Sequence, residues 1–199
     1  ESIVAIVRFG VLALCGLLSL LAEVQPQRAD VIALAVVAGL ASIPLPASRL
    51  SRLRPIAEAA LAAAIIGSTT PLSEPLLPYL VVPPLAAGLL SGVLAATSTT
   101  LVSLLVLIAA RWVGGDLTSK PEVTLIAQWV GLGLATGLVG AWARSVATRE
   151  QQVNSTYVAA HRLLTAALEI GGPAAQQALA DELLRACWAD GRDTGDGEV

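Results

Sequence analysis

Apolar residues in this chain come in long runs separated by short breaks that carry proline or charge, and those runs set the elements. A bilayer core of about 30 Å needs roughly 20 helical residues. Ile3 to Ala22 meets that length with Arg8 as its one internal charge. The run ends at Glu23-Val24-Gln25-Pro26 with no small-residue cleavage site, so it reads as a retained span and not as a signal peptide. Asp30 to Ile43 is shorter and is stopped by Pro44 and Pro46. Pro55 opens the next run at a first helical position, where a missing N–H costs little, and the run reaches about Thr70. Leu76 to Leu90 is interrupted by Pro83-Pro84, whereas Val93 to Val113 and Val123 to Ala143 are unbroken. The pattern predicts an all-α integral membrane fold, a bundle of about six transmembrane helices over residues 3–22, 30–43, 55–70, 76–90, 93–113 and 123–143. Runs two to four are short enough to be re-entrant or tilted, which leaves four or five crossings as the alternative.

Past residue 143 the pattern changes. Ser145 to Ile170 holds neither Gly nor Pro, and Val146, Val153, Ala160 and Ala167 recur every seven residues with Tyr157 and Leu164 between them. This is a weak heptad seam on a helix continuous with the last span, and residues 144–170 read as a juxtamembrane signalling helix. An amphipathic helix on the inner leaflet is the alternative, although the segment lacks the Lys/Arg-rich face such helices favour. Gly171-Gly172-Pro173 ends the seam, and Ala174 to Trp188 forms a second amphipathic pattern with Leu179, Leu183, Leu184 and Cys187 along one stripe. Its apolar stripe needs a partner surface, so residues 174–199 are expected to begin a further cytoplasmic domain that continues past Val199.

Composition supports the class and excludes others. Hydrophobic residues make up 55% and charged residues 14% of the 199, against roughly 25% charged in soluble domains. An ordinary cytosolic fold, a disordered tail and a nucleic-acid-binding module are all excluded. Residues 1–143 carry seven basic and seven acidic groups, and residues 144–199 carry five and eight, so the net charge of −3 lies entirely in the second part. Two distant cysteines and the single His161 make neither a disulfide framework nor a metal set, and no cofactor is expected. Arg49, Arg52 and Arg54 lie in one connection and Arg144 and Arg149 follow the last span. The positive-inside rule then places both termini in the cytoplasm, in a multi-pass protein of the cell (plasma) membrane. Trp112 and Trp129 are expected at the outer interface and Trp142 at the inner one.

Candidate chemistry is sparse. Glu58, in the first turn after Pro55, is favoured there by the helix dipole and is otherwise a proton or cation site. Arg8 is expected to snorkel to the inner interface, leaving no Lys/Arg–acid pair deep in the bilayer. Thr97, Ser98, Thr99, Thr100 and Ser103 form a hydroxyl cluster that either bonds back to its own helix or lines a ligand pocket. Gly88 with Gly92, and Gly133 with Gly137, have GxxxG spacing; they pack helices within one subunit or form a dimer face. No nucleophile–base pair or metal cluster marks a catalytic site.

Three segments carry a family resemblance: Pro75-Leu76-Leu77-Pro78-Tyr79-Leu80, Pro84-Leu85-Ala86-Ala87-Gly88-Leu89 and Tyr157-Val158-Ala159-Ala160-His161-Arg162-Leu163-Leu164. With the hydropathy of residues 1–188, they resemble the N-terminal membrane sensor region of actinobacterial GAF-containing histidine kinases. Ala178-Leu179-Ala180-Asp181-Glu182-Leu183-Leu184 would match the first GAF helix. The resemblance implies the input and anchoring module of a two-component system. It would be homodimeric in the lipid bilayer and would drive a cytoplasmic output domain and a response regulator. His161 departs from a phosphoacceptor box, since Arg162 and Leu163 follow it and no proline is near. No ATP-binding motif accompanies it, so any kinase activity would belong to the parent protein. A small transporter, its substrate-binding subunit, or a structural subunit of a larger membrane assembly are the alternatives.

Overall fold

The computed structural model describes residues 2–22, 27–43, 49–69, 72–114 and 120–193. Among them the chain is all helical. The helices are α1 (Ser2–Leu21), α2 (Arg28–Ser42), α3 (Arg49–Ser68), α4 (Val82–Ser91), α5 (Val93–Val113) and α6 (Lys120–Asp193), with a 3₁₀ helix over Glu74–Val81 leading into α4. The expected stop at Pro44 and Pro46, the loop at Gly115-Asp116 and the polar tail after Asp193 lie outside the described residues, as do the side chains of Arg49, Arg52 and Cys187.

Four stretches are long and apolar enough to cross a membrane: Ile3–Leu21, Glu74–Ser91, Val93–Val113 and part of Glu122–Ala186. At 15 residues, α2 is below that length, and α3 carries its basic residues in its first two turns.

Proline explains most of the irregularity. Pro75 sits in the first turn of the 3₁₀ stretch, and Pro78 falls inside it, where it removes a backbone donor that an α-helical ladder would require. Pro83 and Pro84 lie in the first turn of α4, where N–H groups have no intrahelical partner in any case. Pro55 corrects an expectation. It is internal to α3, which begins six residues earlier at Arg49, so the helix does not start at the proline. Glu58 consequently sits near the middle of a 20-residue helix and not in its first turn.

The chain divides into two compact units, Glu1–Ser145 and Val146–Val199. In the first, α3 packs on α2 and α5, α4 on α5, and α1 on α2 and the 3₁₀ helix. Leu34, Ile66, Leu76, Leu77, Tyr79 and Leu107 are fully buried at the centre, with Ala62 and Ala63 of α3 keeping the helices close. Gly92 (φ 92°) joins α4 to α5 as a single-residue connection in a conformation that favours glycine.

Helical backbone runs from Lys120 up to Gly172, where φ is 72° and Pro173 follows. The second unit therefore holds two helical segments meeting at that glycine. Ala160, Leu164 and Ala167 before it, and Ala175, Leu179 and Leu183 after it, are half-buried. Val153 and Tyr157, the earlier seam positions, are exposed, and the Tyr157 ring stacks on His161 one turn on.

Candidate functional site

The first unit is organised around charges that the hydropathy pattern leaves unpaired. Arg8 lies about two turns into α1 and Glu58 at mid-length of α3, and the fold brings them together. Arg8 Nε donates to Glu58 Oε1 at 2.9 Å and Oε2 at 3.1 Å, and its Nη2 donates to Oε2 at 2.6 Å. Tyr79 from the 3₁₀ helix adds a fourth bond, its hydroxyl donating to Glu58 Oε1 at 2.9 Å. Arg8 is 4% exposed, Glu58 2% and Tyr79 0%. Two expectations are thereby overturned. Arg8 does not snorkel outward, and an arginine–carboxylate pair does sit deep in the bundle. The physical reason is satisfaction: a guanidinium presents its donors in a fork that matches a carboxylate, and a buried charge is tolerable only when paired and hydrogen-bonded.

Both partners were visible in the sequence as the lone charges of their runs. What revealed neither their pairing nor the role of Tyr79 was any local pattern, because the contacts span 50 and 21 residues. The usable signal was mutual neutrality: an unpaired charge at the centre of a transmembrane helix costs at least about 2.5–3.5 kcal/mol on insertion scales. A helix with one Arg and another with one Glu can remove both penalties together.

Three further arginines close helix ends. Arg111, 3% exposed near the end of α5, donates through Nη1 to the Thr69 carbonyl at 2.8 Å and through Nη2 to Glu122 of α6 at 2.9 Å. Arg54 donates to the carbonyls of Leu40 and Ile43 at the end of α2, and Arg144 to that of Leu90 at the end of α4. Each places positive charge where a helix presents unsatisfied carbonyls and the negative end of its dipole. The sequence reading used Arg54, Arg111 and Arg144 only as topology markers and missed this role.

The hydroxyl cluster resolves to back-bonding. Thr97 donates to the Val93 and Leu94 carbonyls, Ser98 and Thr99 to that of Ala95, and Thr100 to that of Ala96. These bonds satisfy the hydroxyls on α5 itself. Ser103 Oγ is buried without a hydrogen-bond partner among the described residues. Glu58 is bonded to Arg8 and Tyr79, on other elements, and not to this cluster.

The glycines pack the subunit internally. A Cβ on Gly88 would collide with the Gly137 carbonyl oxygen, and one on Gly137 would lie 3.0 Å from that of Pro84. Gly133 faces the Leu80 carbonyl and Gly140 that of Leu85 in the same way. The stripe on α6 is therefore filled by α4 and the 3₁₀ helix, which removes it as a dimer face. Gly92, the formal partner of Gly88, has no neighbour at its Cβ position and serves the α4–α5 connection. Trp112 is exposed, and Trp129 is partly buried against the core.

These features define a helical bundle with a buried Arg–Glu–Tyr cluster and arginine-closed helix ends. In comparison with known proteins, no family model, no curated protein and no solved structure matches the chain.

Proposed function

We propose that the chain is the membrane-embedded input and anchoring module of a signalling protein, of the sensor-kinase kind its sequence resembles. Residues 1–143 would form the bundle in the bilayer and the helix past Arg144 would lead toward an output domain. The observation that carries this reading is α6. Its apolar first part packs in the bundle, and helical backbone runs to Gly172 through a stretch that is almost wholly exposed. The apolar exterior of the first unit supports a lipid environment: Ile3, Ile6, Leu20, Leu21, Leu94 and Val113 are each at least 70% exposed. All-helical structure also satisfies backbone polar groups within each element, as a bilayer requires.

Transport is the weaker reading. The hydroxyls of Thr97, Ser98, Thr99 and Thr100 bond to their own helix, and the buried Glu58 carboxylate is already engaged by Arg8 and Tyr79.

The parent protein that the resemblance implies, carrying this chain as its input module and reconstituted in nanodiscs with ATP, should incorporate acid-labile phosphate. Val153→Pro breaks the helix after the bundle at a cost of about 3 kcal/mol or more. It should lower incorporation at least fivefold with membrane insertion unchanged. Absence of labelling in the unsubstituted parent protein would overturn the kinase reading, and equal labelling of the variant would overturn coupling through the helix.

A further inference from the structure

α1 is attached to the bundle differently from its neighbours. Along its described length it buries three side chains: Val4, Arg8 and Cys15. They share one stripe, and two of the three are not hydrocarbon. The opposite face is apolar and open, with Ile3, Ile6, Phe9, Leu14, Leu17 and Leu20 all exposed. Neither Gly10 nor Gly16 has an atom near its Cβ position, so no close backbone approach holds this helix. On its α4 side lies an apolar groove lined by Val4, Val7, Val82, Leu85, Ala86 and Leu89. In lipid, an aliphatic face gains nothing by moving from acyl chains to protein; association rests on packing and on polar contacts. For α1 the buried apolar packing is confined to Val4 and Cys15, with Val11 and Leu12 partly buried against the core, and the polar contact is strong.

We infer that Arg8, Glu58 and Tyr79 form a latch, and that α1 is the element the bundle can release and redock. Closed, the latch fixes α1 in one register against α3 through Glu58, whose carboxylate Tyr79 holds in place from the 3₁₀ helix. Opening it requires the three Arg8–Glu58 hydrogen bonds to be exchanged together, while the Tyr79–Glu58 bond can stay in place, which makes the change two-state and not graded. The role deepens the sensor reading by naming the bistable part, but the docking of α1 is measurable without any signalling output.

Cys15 supplies a native reporter. It lies two turns beyond Arg8 on the same stripe and is fully buried. In a Cys187→Ser background, detergent-solubilised protein would be mixed with a coumarin maleimide that fluoresces on reaction with a thiol. Labelling would be followed well below the temperature at which circular dichroism shows helix loss. Arg8→Ala and Glu58→Leu should each speed labelling of Cys15 at least tenfold under those conditions. Arg111→Ala, which breaks the α5–α6 pair and frees the Thr69 carbonyl just past α3, should leave the rate within twofold. The double variant Arg8→Met/Glu58→Leu removes both charges at once. It should regain most of the melting temperature lost by either single change and still label fast. Should labelling in all these variants simply follow global unfolding, or should the double variant label as slowly as the parent, the latch is wrong and the cluster is a static core contact.

Discussion

Arginine meets glutamate in both units of the chain, and the pairs differ in what surrounds them. Within Glu1–Ser145, Arg8–Glu58 closes at 2.6 Å with side chains 4% and 1% exposed, and Arg111–Glu122 closes at 2.9 Å with 3% and 29%. Within Val146–Val199, Arg185–Glu182 lies at 3.7 Å with both side chains more than three-quarters exposed. The chemistry is the same and the consequence is not. A solvated pair exchanges one hydration shell for another and holds two flexible side chains still, so its net effect is small. A buried pair has lost its water, and removal of one member strands the other. Charge in the first unit therefore specifies which helix meets which, while in the second the Arg185–Glu182 pair lies exposed along a single helix.

Breaking the deepest pair should have the largest effect. Glu58→Leu leaves the buried Arg8 guanidinium without the carboxylate that accepts its hydrogen bonds. We expect a loss of about 3–5 kcal/mol, read by denaturant titration of the protein in mixed micelles. A loss below about 1 kcal/mol would mean that water reaches the cluster and that the contrast between the units is overstated. Arg111→Ala comes next, at about 1–2 kcal/mol. The half-open Glu122 can rehydrate, but the end of α3 loses the cation that closes it. Thermal unfolding in the same micelles measures that loss, and it should be smaller than for Glu58→Leu at every detergent ratio.

Tyr79→Phe sharpens the comparison within the cluster. It removes one of four bonds to Glu58 and leaves the Arg8 fork, so about 1–2 kcal/mol should be lost. An effect as large as that of Glu58→Leu would instead make the tyrosine the central member. At the far end of the scale, Glu182→Gln should leave thermal unfolding unchanged within error, at low and at high salt alike. A salt-dependent change there would show that the second unit also relies on charge pairing.

How much of this was legible beforehand depends on distance along the chain. The α5 boundaries follow from hydropathy alone, Val93–Val113 in both readings, because an apolar run ending at glycine is complete within one window. The break at Gly172 was equally local, since Gly171-Gly172-Pro173 combines a residue that tolerates positive φ with one that cannot continue a helix ladder. Pro55 shows the limit of that logic. An N1 position and an internal position look alike until the preceding turn is seen, and here three arginines, poor guides to a membrane helix, form that turn. The hydroxyls of α5 offered two outcomes, back-bonding or a shared pocket, with no sequence signal to choose between them.

Composition, run length and the placement of proline and glycine determined by themselves that this chain is helical and where several helices start and stop, because those are properties of neighbouring residues. Only the tertiary structure decided what its charges and glycines do. Whether Arg8 leaves the bundle or enters it depends on a carboxylate 50 residues away, and whether Gly137 faces another subunit or Gly88 depends on how α4 lies against α6. A buried charge and a missing side chain have no meaning until the partner that answers them is in place.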